Sequence, residues 1–403
     1  MEIDMKSNKV LWTTGYTFLN VMYFSAFCTL HAYAAVFLLS RGFSNTQIGI
    51  LLATANITSA LFQPYIAGII DKGGRLTNRL FILISCITIL TGSVLLMFIN
   101  AKPMVFVIFA MIYMIQFAYQ PVMTALCFEY QKKGCDIYYG LARGLGSAGF
   151  AVTSAFIGRS VEEHGATLLI GVTAVIMLIS VIAVFFFKPS TENIPITDEV
   201  SEKAVPAHGS LKSFFGNYPA FTLFIAATVC FFFSHNMIND FMIQIIKSLG
   251  GGETQLGYAN FLQAILELPV MALIGLVLRK VSPSRLLVFS GMAFLVKILI
   301  LVFARGLVWM YISQCFQLFA YAVFIPASAY YVSMTMADSD QVKGQAYITS
   351  AITVGGVFSN LVSGVILDSW GMKPMLITGS VVCFAGVLTA FSALKKADHM
   401  ARF

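Results

Sequence analysis

One loop sequence occurs twice in the chain: SRGFSNTQIG at residues 40–49 and SLGGGETQLG at residues 248–257. The copies start 208 positions apart and keep both glycines and the Thr-Gln pair at the same spacing. A second echo, at an offset of 206, pairs Gly158, Glu162 and Gly165 with Gly364, Asp368 and Gly371. Solenoid repeats are far shorter, about 20–50 residues. The sequence therefore predicts two copies of one domain.

The composition indicates an integral membrane protein. Of the 403 residues, 58% are hydrophobic and 11% are charged, whereas soluble domains carry about 25% charged residues. A helix that crosses a membrane needs about 20 mostly apolar residues. Twelve segments meet this need, at 11–39, 45–70, 79–99, 103–131, 138–159, 166–187, 216–247, 254–279, 284–304, 307–336, 343–367 and 373–394. They are continuously apolar rather than alternating, which favours helices over a barrel.

The repeat and the spans together predict the architecture. We expect an all-α integral membrane protein with twelve transmembrane helices in two six-helix repeats. Residues 188–215 form a long polar stretch with three prolines, which we interpret as a cytosolic linker. The linker separates an N-terminal bundle at 1–187 from a C-terminal bundle at 216–403. Six crossings return the chain to the same side, so the repeats are parallel, related by an axis along the membrane normal.

The distribution of basic residues predicts the orientation. With both termini in the cytosol, 17 of the 25 Lys and Arg residues fall in cytosolic segments, six fall outside and two fall within spans. Cytosolic loops of membrane proteins carry this excess. We therefore expect a multi-pass protein of the cytoplasmic (inner) membrane. The net charge of +7 then reflects topology and anionic lipid, and we expect no nucleic-acid partner.

Motifs for enzymatic chemistry are missing from the sequence. The seven cysteines form no CxxC motif, and no GxxxxGK[ST] or HExxH pattern occurs, so we expect no enzyme activity, no cofactor and no metal site. The GLGSAG stretch at 144–149 fits a dinucleotide pattern, but it lies inside an apolar span. Close helix packing by small residues explains it better.

Ionisable residues within the spans are the candidate functional groups. Each charge costs at least ~2.5–3.5 kcal/mol at the bilayer centre, so a functional role is the default expectation. A guanidinium has five fixed donors, which suit sugar hydroxyls or a carboxylate. We expect a substrate site formed by Arg143, Ser147, Phe150, His31, Asn239, Lys297 and Gln317. We expect proton coupling to involve Glu267, Asp240 and Glu129.

These assignments leave alternatives open. Glu267 and Lys297 could form a permanent ion pair between helices instead of a substrate or proton site. Glu129 lies close to Lys132 and Lys133 and could be interfacial. His31 could be a helix-packing histidine.

Two stretches resemble a known transporter class. The loop DKGGR at 71–75 resembles the cytosolic loop signature of the major facilitator superfamily, through Asp71, Lys72, Gly74 and Arg75. We expect these four residues to act in conformational change. The stretch YGLARGLGSAGF at 139–150 resembles the fifth helix of the oligosaccharide:proton symporters, the lactose permease-like family. The resemblance implies that Arg143 contacts sugar hydroxyls and Phe150 stacks on the sugar ring. It also implies that Glu267, Lys297 and Asp240 correspond to functional residues of that family.

The chain departs from that family at several functional positions. The family's fourth-helix acid, which pairs with the arginine, falls on or near Ala125, beside Thr124. Its tenth-helix histidine and glutamate fall near Gln317 and Ala320, and its eleventh-helix lysine near Ile352. The lactose site and the proton relay are therefore not intact, so we expect a solute other than lactose.

The sequence thus predicts a secondary active transporter that works by alternating access. We expect a monomer that couples the uptake of a small polar solute, a sugar, oligosaccharide or glycoside, to protons. A nucleoside:proton symporter and an efflux transporter for amphipathic compounds are the alternatives. A non-transporting membrane sensor is a remote one.

Overall fold

The computed structural model describes residues 2–72, 74–188 and 211–400, and within them the regular structure is entirely helical. Most of the predicted linker, residues 189–210, lies outside this part of the chain. We number the helical rods α1 to α12. They are α1 (Glu2–Phe27, a π-helical turn Cys28–Ala32, then Ala34–Ser40), α2 (Asn45–Asp71), α3 (Asn78–Phe98), α4 (Lys102–Lys132), α5 (Tyr139–His164), α6 (Thr167–Phe186), α7 (Pro219–Asp240, then Met242–Ser248), α8 (Glu253–Leu278), α9 (Pro283–Val302), α10 (Leu307–Cys315, a 3-10 turn Phe316–Leu318, then Tyr321–Thr335), α11 (Asp338–Trp370) and α12 (Met372–Met400). A short helix, Leu211–Asn217, leads into α7.

Most of the rods are long and apolar enough to cross a membrane. In the described part of the chain nine helices meet this condition, and α1 becomes a tenth when its two parts, bent by 49°, are counted as one span. The all-α membrane fold is therefore confirmed.

The repeated loop sequence has a structural cause at the start of α2 and α8. Ser44 and Gln47 form a capping box, in which each side chain bonds to the other residue's backbone N–H. In the second copy Gln255 Oε1 accepts from the N–H of Gly252 at 2.7 Å. Such caps satisfy N–H groups that a helix start leaves unpaired. The preceding Gly42 has a φ of 75°, which glycine adopts without strain.

The repeat also extends to the irregular parts of the helices. The rod α1 breaks at Tyr33 (φ −110°, ψ 14°) and α7 breaks at Phe241 (φ −113°, ψ 23°). These two residues have the same 208-residue offset as the loop copies. The same backbone break thus occurs in both copies although the two residues differ.

The packing of the rods is two-fold as well. In the first six rods α1 packs on α5 and α3 on α6, and in the second six α7 packs on α11 and α9 on α12. Between the two sets, α2 packs on α11 and α5 packs on α8. The two contacts are equivalent by the repeat, because α8 and α11 are the second-set counterparts of α2 and α5. This is the arrangement of parallel repeats around a central axis.

Aromatic side chains occur both in the interior of the bundle and on its outer surface. Phe232 of α7 lies 5.1 Å from Phe324 of α10, and Phe231 lies 6.0 Å from Phe294 of α9, between ring centroids. Phe156 and Phe186 are 73% and 77% exposed. Exposed apolar surface of this kind is what a bilayer covers.

The loops at residues 41–44 and 249–252 define one end of the bundle, which we call the distal end. Near it the backbones of the two sets approach closely. A Cβ on Gly49 would overlap the carbonyl of Asn360, and one on Gly257 would overlap the carbonyl of Ser154. Ser154 Oγ also donates to the Gly257 carbonyl at 3.2 Å. The repeated glycines therefore permit the contact between the two sets of rods.

Two carboxylates complete the distal contact. Asp368 at the end of α11 accepts from the backbone N–H groups of Asn45 (3.2 Å) and Thr46 (2.7 Å) at the start of α2. Glu162 at the end of α5 accepts from the backbone N–H (3.1 Å) and the hydroxyl of Thr254 at the start of α8. We call these contacts the Asp368 latch and the Glu162 latch. Anions at a helix start are stabilised by its free N–H groups.

The latches make the two ends of the bundle different. Among the described residues, the hydrogen bonds that join α1–α6 to α7–α12 lie toward the distal end. One of them runs from Gln244 Nε2 to Asn45 Oδ1 at 3.0 Å. The structure is therefore closed at the distal end. The opposite end, where the chain begins, we call the terminal end.

Candidate functional site between the two sets of rods

Three polar side chains from the second set meet near the middle of the bundle. Lys297 of α9, which is fully buried, donates to Gln317 Oε1 at 2.7 Å. Gln317 in turn donates through Nε2 to Glu267 Oε1 of α8 at 2.8 Å. Among the ion pairs of the described residues, none joins Glu267 to Lys297 directly. The predicted pair is therefore bridged by an amide.

Gln317 reaches this position because α10 is broken there. The residue lies in the 3-10 turn between the two parts of α10. Two hydroxyls brace the surrounding backbone: Ser290 donates to the carbonyl of Ala320, and Ser313 donates to that of Lys297, both at 2.7 Å. Backbone groups freed inside a membrane need such partners.

Arg143 of α5 faces this group from the first set. Its Nη1 donates to Ser147 Oγ at 2.8 Å, and its Cζ lies over the Phe24 ring, 4.1 Å from the centroid. The residue is half-buried, and it is close enough to Glu267 and Tyr321 to interact with both electrostatically. We call Arg143, Glu267, Gln317 and Lys297 the central cluster.

A chain of amides extends the central cluster along α7 and α8. Asn239 bonds to His235 Nε2 at 2.9 Å, and Gln263 donates to Asn239 Oδ1 at 3.2 Å and to Gln314. The His235 ring stacks on Tyr321 at 5.3 Å. Asn239 was predicted from the sequence, whereas His235 and Gln263 were not. The helical spacing could have identified both, because His235 lies one turn before Asn239 and Gln263 lies one turn before Glu267.

His31 is enclosed by aromatic rings at the break of α1. Its ring stacks on Phe27 at 4.1 Å and lies 3.8 Å from Tyr113 and 4.6 Å from Phe117. Neither ring nitrogen has a hydrogen-bond partner among the described residues. Phe150, the predicted stacking residue, is 6.4 Å from Phe27. We call Phe27, Tyr113 and Phe117 around His31 the His31 cage.

Asp240 approaches the His31 cage from the second set of rods. It ends the first part of α7 and is close enough to Tyr113 to interact electrostatically. Asn360 of α11 lies beside it, and both amide atoms of Asn360 are buried without hydrogen-bond partners among the described residues. Asp240 and His31 are therefore near the same tyrosine, although they belong to different sets.

A cavity of about 390 Å³ lies between α2 and α4 and is lined by Gln63, Phe117, Gln120, Pro121 and Thr124. Its volume is within the usual range for small-molecule pockets, roughly 300–1,000 Å³. Phe117 also belongs to the His31 cage, so the cavity adjoins the cage. The central cluster is not part of its lining.

Glu129 and the 71–75 loop lie away from the central cluster. Glu129 forms an ion pair with Lys133 at 2.6 Å and accepts from Asn78 at 2.9 Å, at the terminal end. The described loop residues that were predicted to act in conformational change are exposed at the same end; they are Asp71, Lys72, Gly74 and Arg75.

Comparison with known proteins agrees with this architecture. The profile of the MFS_1 like family matches residues 14–377. No curated protein matches the sequence significantly. A mutant form of the nucleoside transporter NupG is similar in structure, with a TM-score of 0.82, 13% identity, and coverage of 95% of this chain and 99% of that chain.

Two further solved structures have the same fold. An auto-inhibited POT family peptide transporter gives a TM-score of 0.73 at 11% identity, over 96% of each chain. A bacterial homologue of the human lysosomal transporter Spinster, inward-facing and occupied, gives 0.69 at 12% identity, over 95% of this chain and 96% of that chain.

The two-fold bundle and the polar cluster between its sets of rods define a secondary transporter rather than an enzyme. The family match covers most of the chain, and so the chain belongs to the MFS_1 like family of the major facilitator superfamily.

Proposed function

We propose that the protein couples the uptake of a small polar solute, a sugar, oligosaccharide or glycoside, to protons. The observation that supports this best is the central cluster, in which Arg143 of one set of rods faces Glu267 and Lys297 of the other. Charged groups at this depth are costly. A site contacted by both sets can be exposed to either side of the membrane when the sets rock against each other.

The proposed cycle exchanges the distal contact for one at the terminal end. We propose a monomer in the cytoplasmic membrane with both termini in the cytosol, so the distal end faces outward. The moving units would be the bundles at 1–187 and 216–403, joined by the linker at 188–215. In the closed-distal state a solute would leave to the cytosol.

Glu267 is the proposed proton carrier. Its carboxylate already accepts from Gln317, and Gln317 connects it to Lys297. A proton on Glu267 would remove the charge that faces Arg143, so protonation and solute binding at Arg143 would be coupled. Asp240 is a second proposed carrier, near the His31 cage.

A nucleoside is the second candidate solute. The amides of Asn239, Gln263 and Gln314 form a row of donors and acceptors like those that bind nucleobases, and the NupG structure shares the fold. A nucleoside would place its base along this row and its ribose toward Arg143.

Transport in proteoliposomes tests the proposal. Purified protein would be reconstituted with a pH-sensitive dye inside, and sugars, glycosides and nucleosides added outside. We expect solute entry to acidify the lumen. The Glu267→Gln variant should still bind solute but should no longer accumulate it against a gradient, whereas Glu163→Gln, an exposed change on α5, should behave like wild type. If no solute moves protons, symport is wrong.

A further inference from the structure

The central cluster contains two cations and one carboxylate. Lys297 is connected to Glu267 through Gln317. Arg143 is on the other set of rods, and among the described residues it forms no ion pair. Its partners there are the Ser147 hydroxyl and the Phe24 ring. Neither cation has a carboxylate in direct contact among the described residues, but an amide connects Lys297 to Glu267, whereas no side chain connects Arg143 to an acid.

A hydroxyl and an aromatic ring satisfy only part of a guanidinium. The group has five N–H donors in a planar fork that matches a carboxylate, and Ser147 accepts from one nitrogen. The ring lies against the guanidinium carbon and accepts no conventional hydrogen bond. Several donors of a half-buried cation are thus available to a ligand.

Within the first set of rods, the described part of α4 offers no acid to Arg143. On α4 the positions that line the cavity are Phe117, Gln120, Pro121 and Thr124. The acid of that helix, Glu129, is already held at the terminal end by Lys133 and Asn78. The cation that the first set of rods presents to the central cluster, Arg143, therefore has no acid of its own set in contact among the described residues.

We propose that the transported solute is a hydroxylated monocarboxylic acid, a sugar acid, whose carboxylate binds Arg143. This inference rests on the proposed function, because it assumes that the central cluster is the solute site. The carboxylate supplies an anion in direct contact with Arg143, in the bidentate geometry that arginine favours. The Ser147 hydroxyl and the Gln317 amide of the same site suit the solute's hydroxyls.

Matched ligands test this inference. Binding of D-glucuronate, D-galacturonate and D-gluconate to the full-length protein in nanodiscs would be measured by calorimetry, beside D-glucuronamide, D-glucose and uridine. We expect at least one acid to bind 10-fold or more tightly than glucuronamide, glucose and uridine. Added salt should weaken the binding of the acid and leave neutral ligands unaffected.

Variants separate charge from shape. Arg143→Gln should remove the preference for the acid over its amide, whereas Arg143→Lys should keep part of it. The matched control is Arg159→Gln, which removes an exposed arginine of the same helix that is paired with Glu163 and should leave the preference unchanged.

The outcomes for the two proposals differ. If a neutral sugar or nucleoside binds and moves protons while no acid binds more tightly, the inference about the carboxylate is wrong and the proposed symport remains. The same holds if Arg143→Gln keeps the preference for the acid. If an acid binds at Arg143 but no solute moves protons, the proposed symport is wrong and the anion site remains.

Discussion

The Glu162 latch gives a quantitative prediction about the distal end. In the Glu162→Gln variant the side chain keeps its length and one acceptor oxygen but loses its charge. In the wild-type protein the carboxylate accepts two hydrogen bonds from Thr254 at the start of α8. We therefore expect the variant to open at the distal end more often than wild type.

The size of the effect follows from the exposure of the latch. A charge at a solvent-exposed helix start contributes about 0.3–1 kcal/mol, and exposed ion contacts contribute about 0–1 kcal/mol. Glu162 is exposed, so we expect a loss of ~1 kcal/mol at most. This corresponds to a shift of up to about fivefold in the ratio of open to closed protein. The Asp368 latch is unchanged, so the closed form should persist.

Electron–electron resonance distances across the distal end measure this ratio. Spin labels would be placed at Thr167 and Arg305, which are exposed near the distal starts of α6 and α10, in a background without reactive cysteines. The control is Glu163→Gln, because Glu163 pairs with Arg159 on its own helix at 2.8 Å. Equal distance distributions for Glu162→Gln and Glu163→Gln would refute the latch.

The latch also has a defined pH dependence. Glu162 lies beyond the predicted span, which ends at residue 159, and the hydrogen bond from the Thr254 hydroxyl lowers the pKa of its carboxyl below the ordinary value of 4.5. A lowered pKa means that the stabilisation of the closed form is fully present above pH 4.5. It is lost as the pH falls through the lowered pKa. The difference in the ratio of open to closed protein between wild type and Glu162→Gln should therefore be constant from pH 6 to 8 and shrink only in acid.

Two further predictions concern packing and the central cluster. Gly257→Leu should force the distal end open, because the new side chain would overlap the α5 backbone. The resonance distances across the distal end should then lengthen. The control is Gly275→Leu on the same helix, whose side chain would meet open space and should leave these distances unchanged. Gln317→Leu should remove the described partner that joins Lys297 and Glu267 and lower the free energy of unfolding by roughly 2–3 kcal/mol. An unchanged melting temperature in a thermal unfolding assay would contradict the bridge.

Much of the fold could be predicted because its signals are local. The repeated sequence at 40–49 and 248–257 encodes a helix cap and a close backbone contact, and each copy forms both. Long apolar segments likewise report helices directly. The predicted spans at 79–99 and 284–304 agree with α3 and α9 to within a few residues.

The site was predicted less completely because it depends on distant contacts. The cost of buried charge identified Arg143, Glu267 and Lys297, which the fold brings near one another. The bridging position of Gln317 depends on the break in α10, for which neither glycine nor proline provides a signal at 316–320. For Glu129 the sequence did indicate the ion pair, because Lys133 lies four residues later, which is the spacing of an ion pair on a helix.

The two latches have a consequence for the origin of the chain. Each set of rods supplies one acid, near the end of its fifth helix, and one helix start, in its second helix, and each acid binds the helix start of the other set. A single six-helix protein with one such acid and one such helix start would form both contacts when two copies met around a two-fold axis. The closed distal end therefore has the symmetry of a self-complementary dimer interface. Gene fusion would have preserved this interface and freed the two halves to diverge in the residues between them.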